Sequence, residues 1–227
     1  RGAAGTGQKA PTSTELFGFS PDFVGNPDLQ PEQSKGWELG VDQALGSDNY
    51  TAALTYFNER LEDQIVTVFL PDFTSTAINA PGDARRKGVE AALDASLNEQ
   101  FSARLAYTYL DSEGDTVTGR GSEVRRPRNS YALNLNYKFL QQKANLNLNL
   151  SYTGSQYDNV FFSDFSAGRI ELDSYAIVDL TTEYALTDSV VLYGRLDNLF
   201  DEDYEQVYSY NTLGRAGFVG VRMSLNR

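Results

Sequence analysis

The sequence predicts an all-β protein: an antiparallel, up-and-down portion of a transmembrane β-barrel, with about ten strands of a barrel of about 22. Three observations predict it. Apolar and polar residues alternate along many segments, short and long connections alternate between those segments, and 14 Tyr and 13 Phe occur in a chain whose mean hydropathy is −0.42. The composition fits a barrel whose apolar surface is a thin band. Taken alone, the composition also fits a soluble β-sandwich.

Strict alternation is clearest in the segment 144–152, where leucines alternate with asparagines. A helix passing through Leu146 would need an apolar residue at the position of Asn149, so the helical pattern fails and the strand pattern fits. The same two-residue period recurs in 101–109 and 131–139. These segments therefore predict β-strands.

The connections between the predicted strands differ systematically in length. The ten predicted strands span 1–8, 34–46, 50–68, 84–97, 101–111, 126–139, 143–156, 172–186, 189–198 and 214–225. Short turns at 46–49, 98–100, 141–142 and 187–188 alternate with long polar loops at 9–33, 69–83, 112–125, 157–171 and 199–213. Transmembrane barrels place tight turns at one end and long loops at the other, whereas a soluble sandwich has no reason to do so.

The alternation also sorts the two faces of the sheet. The side chains predicted to face lipid are Val89, Ala91, Leu93, Leu133, Leu135, Leu146, Leu148 and Leu150. The side chains predicted to face the lumen are Glu90, Asp94, Asn134, Asn136, Asn145, Asn147 and Asn149. A polar lumen implies water or a polar plug inside. Side chains fill an eight-stranded barrel, whereas about 22 strands leave room for a plug. Ten strands can close alone or belong to the larger barrel.

Composition excludes several classes of function. A formal charge of −12 argues against nucleic-acid binding. The chain has neither Cys nor His, which removes disulfides, thiolate metal sites, histidine triads and the usual zinc sites. No acidic pair stands out as catalytic, so we predict no enzyme activity, no metal and no cofactor. No apolar stretch approaches the ~20 residues of a membrane helix. Residues 1–4, RGAA, lead directly into polar sequence, so no signal peptide is expected within residues 1–227.

Four motifs, in order along the chain, resemble those of TonB-dependent receptors. Residues 7–18 contain Lys-Ala-Pro followed by Leu, similar to the family's KAP…L segment. Residues 25–40, GNPDLQPEQSKGWELG, resemble its GNPxLxPExSxxxExG stretch. Residues 87–90, KGVE, and 197–205, DNLFDEDYE, resemble its KGVE and NLFDxxYE motifs. Each motif is weak alone, but their order and spacing cover the whole chain.

The resemblance implies that residues 1–227 form the C-terminal part of a receptor barrel in the outer membrane of a Gram-negative bacterium. The plug domain, its energy-coupling box and the earlier barrel strands are expected to lie outside this chain. Such receptors take up a nutrient actively: the nutrient binds the outer loops and the TonB complex pulls on the plug. Outer-membrane lipid and lipopolysaccharide are further expected partners. One departure is the end of the chain, Ser224-Leu225-Asn226-Arg227, where the family usually has an aromatic residue.

The resemblance extends to vitamin B12 (cobalamin) receptors. Residues 204–215, YEQVYSYNTLGR, are similar to the last outer loop of those receptors, and Arg125-Arg126 and Tyr157-Asp158 occupy comparable positions. Cobalamin is therefore the expected ligand, with a ferric siderophore as the alternative because siderophore receptors share much of this pattern. The implied substrate-binding residues are Arg125, Arg126, Phe161, Tyr208 and Tyr210.

These residue types suit a large amphipathic ligand. Tyr offers a stacking face with a hydroxyl group, and Arg offers a fixed fork of N–H donors. The alternative interpretation of Tyr208 and Tyr210 is an aromatic belt at the membrane interface. Lys9 and Glu38 are expected to pair near the barrel rim, where an exposed ion pair contributes little stability.

Two further charged groups have open interpretations. A basic group of side chains can meet lipopolysaccharide phosphates or line the ligand path; it comprises Arg85, Arg86, Lys87, Arg125, Arg126 and Arg128. The acidic residues Asp111, Glu113 and Asp115 begin like a calcium loop, but Gly114 and Ser122 do not fit that pattern, so a solvated loop is predicted.

Three other classes of protein compete with the receptor interpretation. A passive porin would have no plug, and an outer-membrane enzyme would need converging catalytic groups. A soluble β-sandwich would bury Leu146, Leu148 and Leu150 in a core rather than against lipid.

Overall fold

The computed structural model describes residues 1–46, 49–163 and 166–224. The elements are β1 (Gly2–Lys9), α1 (Ser13–Phe17), β2 (Phe23–Val24), β3 (Glu32–Ala44), β4 (Tyr50–Glu62), β5 (Ile65–Phe69), β6 (Ser75–Asn79), β7 (Ala84–Ser96), β8 (Phe101–Thr116), β9 (Gly119–Ser122), β10 (Asn129–Phe139), β11 (Ala144–Thr153), β12 (Gln156–Phe161), β13 (Ala167–Leu172), β14 (Tyr175–Thr187), β15 (Val190–Asp197) and β16 (Ala216–Met223). In the described part of the chain, no helix is long and apolar enough to cross a membrane.

One large sheet contains all ten predicted strands. Its strand order is β1-β3-β4-β7-β8-β10-β11-β14-β15-β16, and β9 pairs with the end of β8. The strands of the large sheet occur in the same order in the chain as in the sheet, with the short elements of the long connections between some of them, which is an up-and-down arrangement. Pairs such as β10–β11 and β14–β15 are antiparallel. The predicted fold class is confirmed. Among the described residues the sheet is not closed, because β1 and β16 form its two edges.

Several predicted boundaries are wrong. The predicted strand 50–68 is two strands, because Asp63 has a φ of 58° and this left-handed backbone interrupts the pairing. Four of the predicted long loops contain regular elements: α1 and β2, β6, the end of β8 with β9, and the hairpin β12–β13. These elements are short, so each contains too few residues to show a clear period. Residues 47–48 of a predicted turn, 164–165 of a predicted loop and 225–227 at the C-terminus lie outside the described residues.

The chain divides into two compact units, and the first comprises residues 1–39, 56–88 and 111–123. Within it, residues 10–31 together with β5 and β6 form what we call the loop lobe, which includes a three-stranded sheet in the order β2-β6-β5. Helix α1 begins with a capping box in which the Thr12 hydroxyl accepts from the Glu15 amide and the Glu15 carboxylate accepts from the Thr12 amide.

Away from the Glu15 cap and the junction with β3, close backbone packing and neutral side chains hold the loop lobe. A Cβ placed on Gly25 would lie 2.4 Å from the backbone nitrogen of Gly18, so only glycine fits there. The Asn26 amide donates to the Ala77 carbonyl at 2.9 Å, and the Asn79 amide donates to the Asp63 carbonyl at 2.7 Å. The residues of the GNPxLxPE motif therefore serve the local fold.

The expected pair between Lys9 and Glu38 is wrong. Lys9 stands opposite Glu32 in the β1–β3 register, whereas Glu38 stands opposite Ala3. The Lys9 ammonium accordingly lies 3.1 Å from the Glu32 carboxylate. The same carboxylate accepts from the Ile65 amide at 2.9 Å, and so links the start of β3 to the loop lobe.

The second unit comprises residues 40–55, 89–110 and 124–227, and its strands carry the predicted alternation. Across four neighbouring strands, Leu135, Leu148, Leu180 and Leu196 stand opposite one another on one face. The leucines of β11 are half-buried rather than enclosed in a core. The expectation from a soluble sandwich, with Leu146, Leu148 and Leu150 in a core, is therefore wrong.

The opposite face of the same strands carries what we call the asparagine strip, which comprises Asn134, Asn136, Asn145, Asn147 and Asn149. Its side chains bond mainly to one another. The Asn136 amide donates to the Asn145 carbonyl oxygen at 2.8 Å, and the Asn149 amide donates to that of Asn147 at 2.9 Å. The predicted separation of a leucine face from an asparagine face is present in the structure.

Candidate ligand-binding site

The five predicted site residues lie at the end of their strands that carries the long connections, which we call the loop end. Arg125 and Arg126 lie between β9 and β10, Phe161 is the last residue of β12, and Tyr208 and Tyr210 lie between β15 and β16. The exposed fractions of Phe161, Tyr208 and Tyr210 are 62%, 37% and 71%. All five belong to the second unit, and the aromatic side chains are accessible to a ligand.

Asp158, a residue outside the predicted site set, brings two of these five together. Its Oδ1 accepts a hydrogen bond from Nε of Arg125 at 3.0 Å and one from the amide of Asn159 at 2.9 Å. Its Oδ2 accepts from the amide of Tyr208 at 2.8 Å. A single carboxylate thus joins three segments that are far apart in the sequence.

Two further hydrogen bonds reinforce these links. The amide of Arg125 donates to the carbonyl of Tyr157 at 2.8 Å. The side-chain amide of Gln156 donates to the carbonyl of Gln206 at 3.2 Å. We call this group of residues the Asp158 cluster; it comprises Arg125, Gln156, Asp158, Gln206 and Tyr208. Because β12 contacts each neighbouring segment twice, the cluster fixes the segments against rotation as well as separation.

The charge of Asp158 is stabilised despite its burial. The side chain is fully buried, and burial alone would raise the pKa of its carboxyl group. Hydrogen bonds from the amides of Tyr208 and Asn159 and from Arg125, together with the positive charge of Arg125, outweigh burial and hold the pKa of Asp158 below its ordinary value. The carboxylate is therefore ionised at neutral pH.

The other three predicted residues lie near this cluster in the chain but are not among the partners of Asp158 in the described residues. Phe161 follows Asp158 on the same strand. The amide of Tyr210 donates to the carbonyl of Val207 at 3.1 Å, and Ser209 between them has a φ of 65°, which makes a tight turn. Arg126 is exposed beside Arg125. A binding role for these three stays a prediction.

The aromatic-belt interpretation fits other tyrosines better than Tyr208 and Tyr210. Tyr107, Tyr131 and Tyr152 stand opposite one another on β8, β10 and β11. The rings of Tyr107 and Tyr131 stack with centroids 4.7 Å apart, and the rings of Tyr131 and Tyr152 lie 5.5 Å apart. This row lies on the leucine face near the loop end, where an interfacial girdle is expected.

Sequence reasoning missed the contacts that organise the site. Asp158 opens a segment predicted to be a loop, where a carboxylate is normally solvated, and its partners lie 33 and 50 residues away. The only signal was the position of Tyr157-Asp158 in the family resemblance. The guanidinium of Arg169, 4.5 Å from the ring centroid of Tyr157, was also missed because the pairing of β12 with β13 was not predicted.

An acidic cleft of about 390 Å³ lies at the loop end of the second unit. It is lined by the end of β13, the start of β14 and the connection before β16. The rings of Tyr175 and Tyr204 meet there with centroids 4.4 Å apart. Its carboxylate-bearing residues are Glu171, Asp173, Asp203 and Glu205. The cleft disfavours anions because like charges repel.

In the first unit, carboxylates pair with cations of the predicted basic group, and the residues of the predicted acidic group bind nearby cations or backbone amides. Arg86 contacts Glu123 at 2.7 Å, and Lys87 contacts Asp111 at 3.3 Å. Asp115 accepts from the amide of Gly82 at 2.8 Å. In the described ranges, no set of three or more acidic side chains is arranged to hold a metal ion. The acidic residues of this loop contact cations and backbone of their own unit.

A family model and a sequence relative both match this chain, and they indicate the same family. Residues 1–199 match the family model described as TonB dependent receptor-like, beta-barrel. The chain is 31% identical, over 224 residues, to the vitamin B12 transporter BtuB of Photobacterium profundum. That match covers 94% of this chain but 33% of the transporter, so the chain spans about a third of the length of this relative.

Solved structures share the fold. The siderophore receptor PirA from Acinetobacter baumannii matches with a TM-score of 0.79 at 20% identity, covering 99% of this chain and 38% of that one. The pyoverdine outer membrane receptor FpvA from Pseudomonas aeruginosa PAO1 matches with a TM-score of 0.74 at 19% identity, covering 98% and 33%. At these identities the likeness concerns the fold alone.

Proposed function

We propose a role in active nutrient uptake for this chain because it belongs to the TonB-dependent receptor β-barrel family. Its location is the outer membrane of a Gram-negative bacterium. Its strands form part of the barrel wall, and its loop end supplies contacts to the ligand. The family consists of receptors and transporters rather than enzymes.

The proposed ligand is cobalamin. The observation that carries this proposal is the Asp158 cluster, which brings the guanidinium of Arg125 and the loop bearing Tyr208 and Tyr210 to the same strand as Phe161. A corrinoid presents flat apolar surface with amide groups at its rim. Exposed aromatic rings can stack on the former, and Arg125 can donate to the latter. The 31% identity to a vitamin B12 transporter supports the same ligand.

Charge supports cobalamin over a ferric siderophore. The acidic cleft carries four carboxylate side chains at the loop end, and Asp158 offsets the charge of Arg125. A ferric complex with net negative charge would be repelled there, whereas a neutral corrinoid would not. The siderophore receptors among the solved neighbours share this fold at about 20% identity, which does not bear on the ligand.

The proposed mechanism follows the family. The ligand binds the outer loops, the TonB complex pulls on a plug, and the ligand passes along the polar wall that includes the asparagine strip. The plug and its coupling segment are proposed to lie outside residues 1–227, since the chain spans about a third of its relative. The leucine face is proposed to contact membrane lipid, and cations at the loop end to contact lipopolysaccharide phosphates.

Binding and uptake by the intact receptor test this function. We expect saturable binding of cyanocobalamin, and uptake that requires TonB and an energised inner membrane. Tyr210→Ala should weaken binding by about tenfold through the loss of a stacking ring, while Leu213→Ala, an exposed apolar residue of the same loop, should not.

Three results would contradict the proposal. Binding of a ferric siderophore in place of cyanocobalamin would reassign the ligand. Uptake without TonB, together with ion conductance in planar bilayers, would indicate a passive channel. Equal affinity of the Tyr210→Ala variant and the unchanged receptor for both ligands would remove Tyr210 from the site.

A further inference from the structure

Asp158 is a charged side chain at a position with no solvent exposure, and it is the largest fully buried side chain among the described residues. Burying a carboxylate is costly unless donors replace its hydration. Asp158 has three such donors, and none of these bonds to its carboxylate is a backbone bond between paired strands. A fold that only needed to pack β12 would place an apolar residue there at lower cost. The buried charge is therefore explained better by the hydrogen bonds that it makes than by packing.

The two carboxylate oxygens of Asp158 bind two different segments of the chain. Oδ1 contacts Nε of Arg125, and Oδ2 contacts the amide of Tyr208. Arg125 itself has a φ of 55°, an unfavourable backbone conformation for a residue other than glycine. Its side chain is 52% exposed, so its donors remain accessible from solvent. The carboxylate thus holds a strained, accessible arginine on one side and a ligand-facing loop on the other.

We propose that Asp158 is a positioning residue for ligand recognition, which presets Arg125 and the loop of Tyr208 before the ligand arrives. This inference rests on the proposed function, because Arg125 and Tyr208 are ligand residues only under that proposal. Preorganised groups cost less to order on binding, which raises affinity. Arg125 in contact with Asp158 also presents N–H donors with little net charge. Such a pair recognises uncharged acceptors, such as amide carbonyls, better than anions.

The test uses the intact receptor that contains this chain, with cyanocobalamin as the probe. Asp158→Asn keeps the shape of the side chain but removes its charge. Asp188→Asn makes the same chemical change at an exposed residue of the short turn after β14 and is the control. We expect Asp158→Asn to weaken cyanocobalamin binding by about tenfold and Asp188→Asn to leave it unchanged.

A double-mutant cycle separates positioning from general stability. If Asp158 acts through Arg125, then Arg125→Gln should weaken binding to a similar degree, and the double variant should be little worse than either single variant. Fully additive losses would overturn the proposal. If Asp158→Asn fails to assemble in the membrane, then Arg125→Gln, at a half-exposed side chain, tests the same contact by the spectroscopic measurement below.

The loop order can be measured without any ligand. Residues 1–227 contain no cysteine. In the intact receptor, with any cysteine outside this chain replaced by serine, Ser163→Cys and Ser209→Cys allow two spin labels, one on the β12–β13 hairpin and one on the loop of Tyr208. Asp158→Asn or Arg125→Gln should broaden the distance distribution between the labels. An unchanged distribution would overturn the positioning role. A receptor that binds no cyanocobalamin would refute cobalamin as its ligand, while this ligand-free measurement would still decide whether Asp158 orders the two loops.

Discussion

The loop lobe of the first unit and the Asp158 cluster of the second both order long connections, but by different means. In the loop lobe, Gly25 packs against the backbone of Gly18, and Asn26 and Asn79 bridge to carbonyl groups. In the Asp158 cluster, one ionised carboxylate gathers donors from three segments. Around Gly25, Asn26 and Asn79 the first arrangement depends on shape and neutral hydrogen bonds, and its carboxylates lie at the helix cap (Glu15) and at the junction with β3 (Glu32). The second arrangement depends on a charge at its centre.

The difference matters for function. Neutral contacts between backbone groups are indifferent to salt and leave no titratable group at their centre. A buried charge orders its surroundings more strongly, because hydrogen bonds to charged groups contribute about 1.5–3 kcal/mol compared with about 1 kcal/mol for neutral ones. The cluster that contains predicted ligand residues is the one built on charge. Four changes test this contrast, in order of decreasing effect.

The largest effect is expected for Asp158→Ala. This variant leaves the amide of Tyr208 and the guanidinium of Arg125 without their acceptor, at a local cost on the order of 3 kcal/mol. Hydrogen exchange in the peptide covering 204–210 should accelerate by about a hundredfold. Peptides of the loop lobe should be unaffected. Unchanged exchange at 204–210 would show that the carboxylate does not order this loop.

A smaller effect is expected for Gly25→Ala in the loop lobe. The added methyl group would meet backbone atoms at 2.4 Å, so the backbone must shift, at a cost of about 2 kcal/mol. Hydrogen exchange of residues 15–26 should accelerate. Gly5→Ala is the matched control in the same unit, because no atom lies within 4 Å of a Cβ at Gly5. Equal effects of the two variants would contradict the packing argument.

Lowering the pH should also destabilise the Asp158 cluster. At any pH above the pKa of Asp158 in the folded protein, the loss of stabilisation should be smaller than in the Asp158→Ala variant. The pKa of Asp158 is held below its ordinary value in the folded protein. Its stabilisation is therefore fully present above the unfolded pKa of about 3.9, and it is lost as pH falls through the lower folded pKa. Exchange at 204–210 should be constant after correction for intrinsic rates from pH 7 to about 5 and rise below about 4. The same rise in Asp158→Asn would assign the effect to another group.

The smallest effect is expected for Arg60→Gln in the first unit. Arg60 contacts Asp83, but the side chains are 49% and 31% exposed, and water and salt screen such a pair. The free energy of unfolding should change less than for Gly25→Ala, and the change should shrink further in about 1 M salt. A salt-independent loss larger than that of Gly25→Ala would show that exposed charge orders this unit after all.

The strands were predictable because their signal is local. Alternation with a period of two residues assigned all ten strands of the large sheet and both faces of β10 and β11. The exception, at Asp63, depends on a left-handed residue that alternation does not reveal. The short elements in the loops were missed for a related reason: β12 and β13 are six residues each, too short for a clear period.

The site was only partly predictable because its contacts are not local. Arg125 and Tyr208 were expected from the family resemblance, and the structure brings them to one carboxylate. Nothing in the residues around Asp158 indicates that it is buried, since its burial depends on the pairing of β12 with β13 and on the loop before β16. The Asn136–Asn145 bond, in contrast, follows from a register that alternation already implies.

The asparagine strip has a consequence for whatever moves past it. Four of its five side-chain amides already donate to another asparagine, as in the bond from Asn147 to Asn134 at 3.3 Å. A passing molecule that bonds to such an amide must displace a bond already formed, so the exchange yields little net free energy. Uncharged amides also exert no long-range pull on an ion. Under the proposed function, a solute that passes the strip would therefore gain little free energy from it and would not be held there.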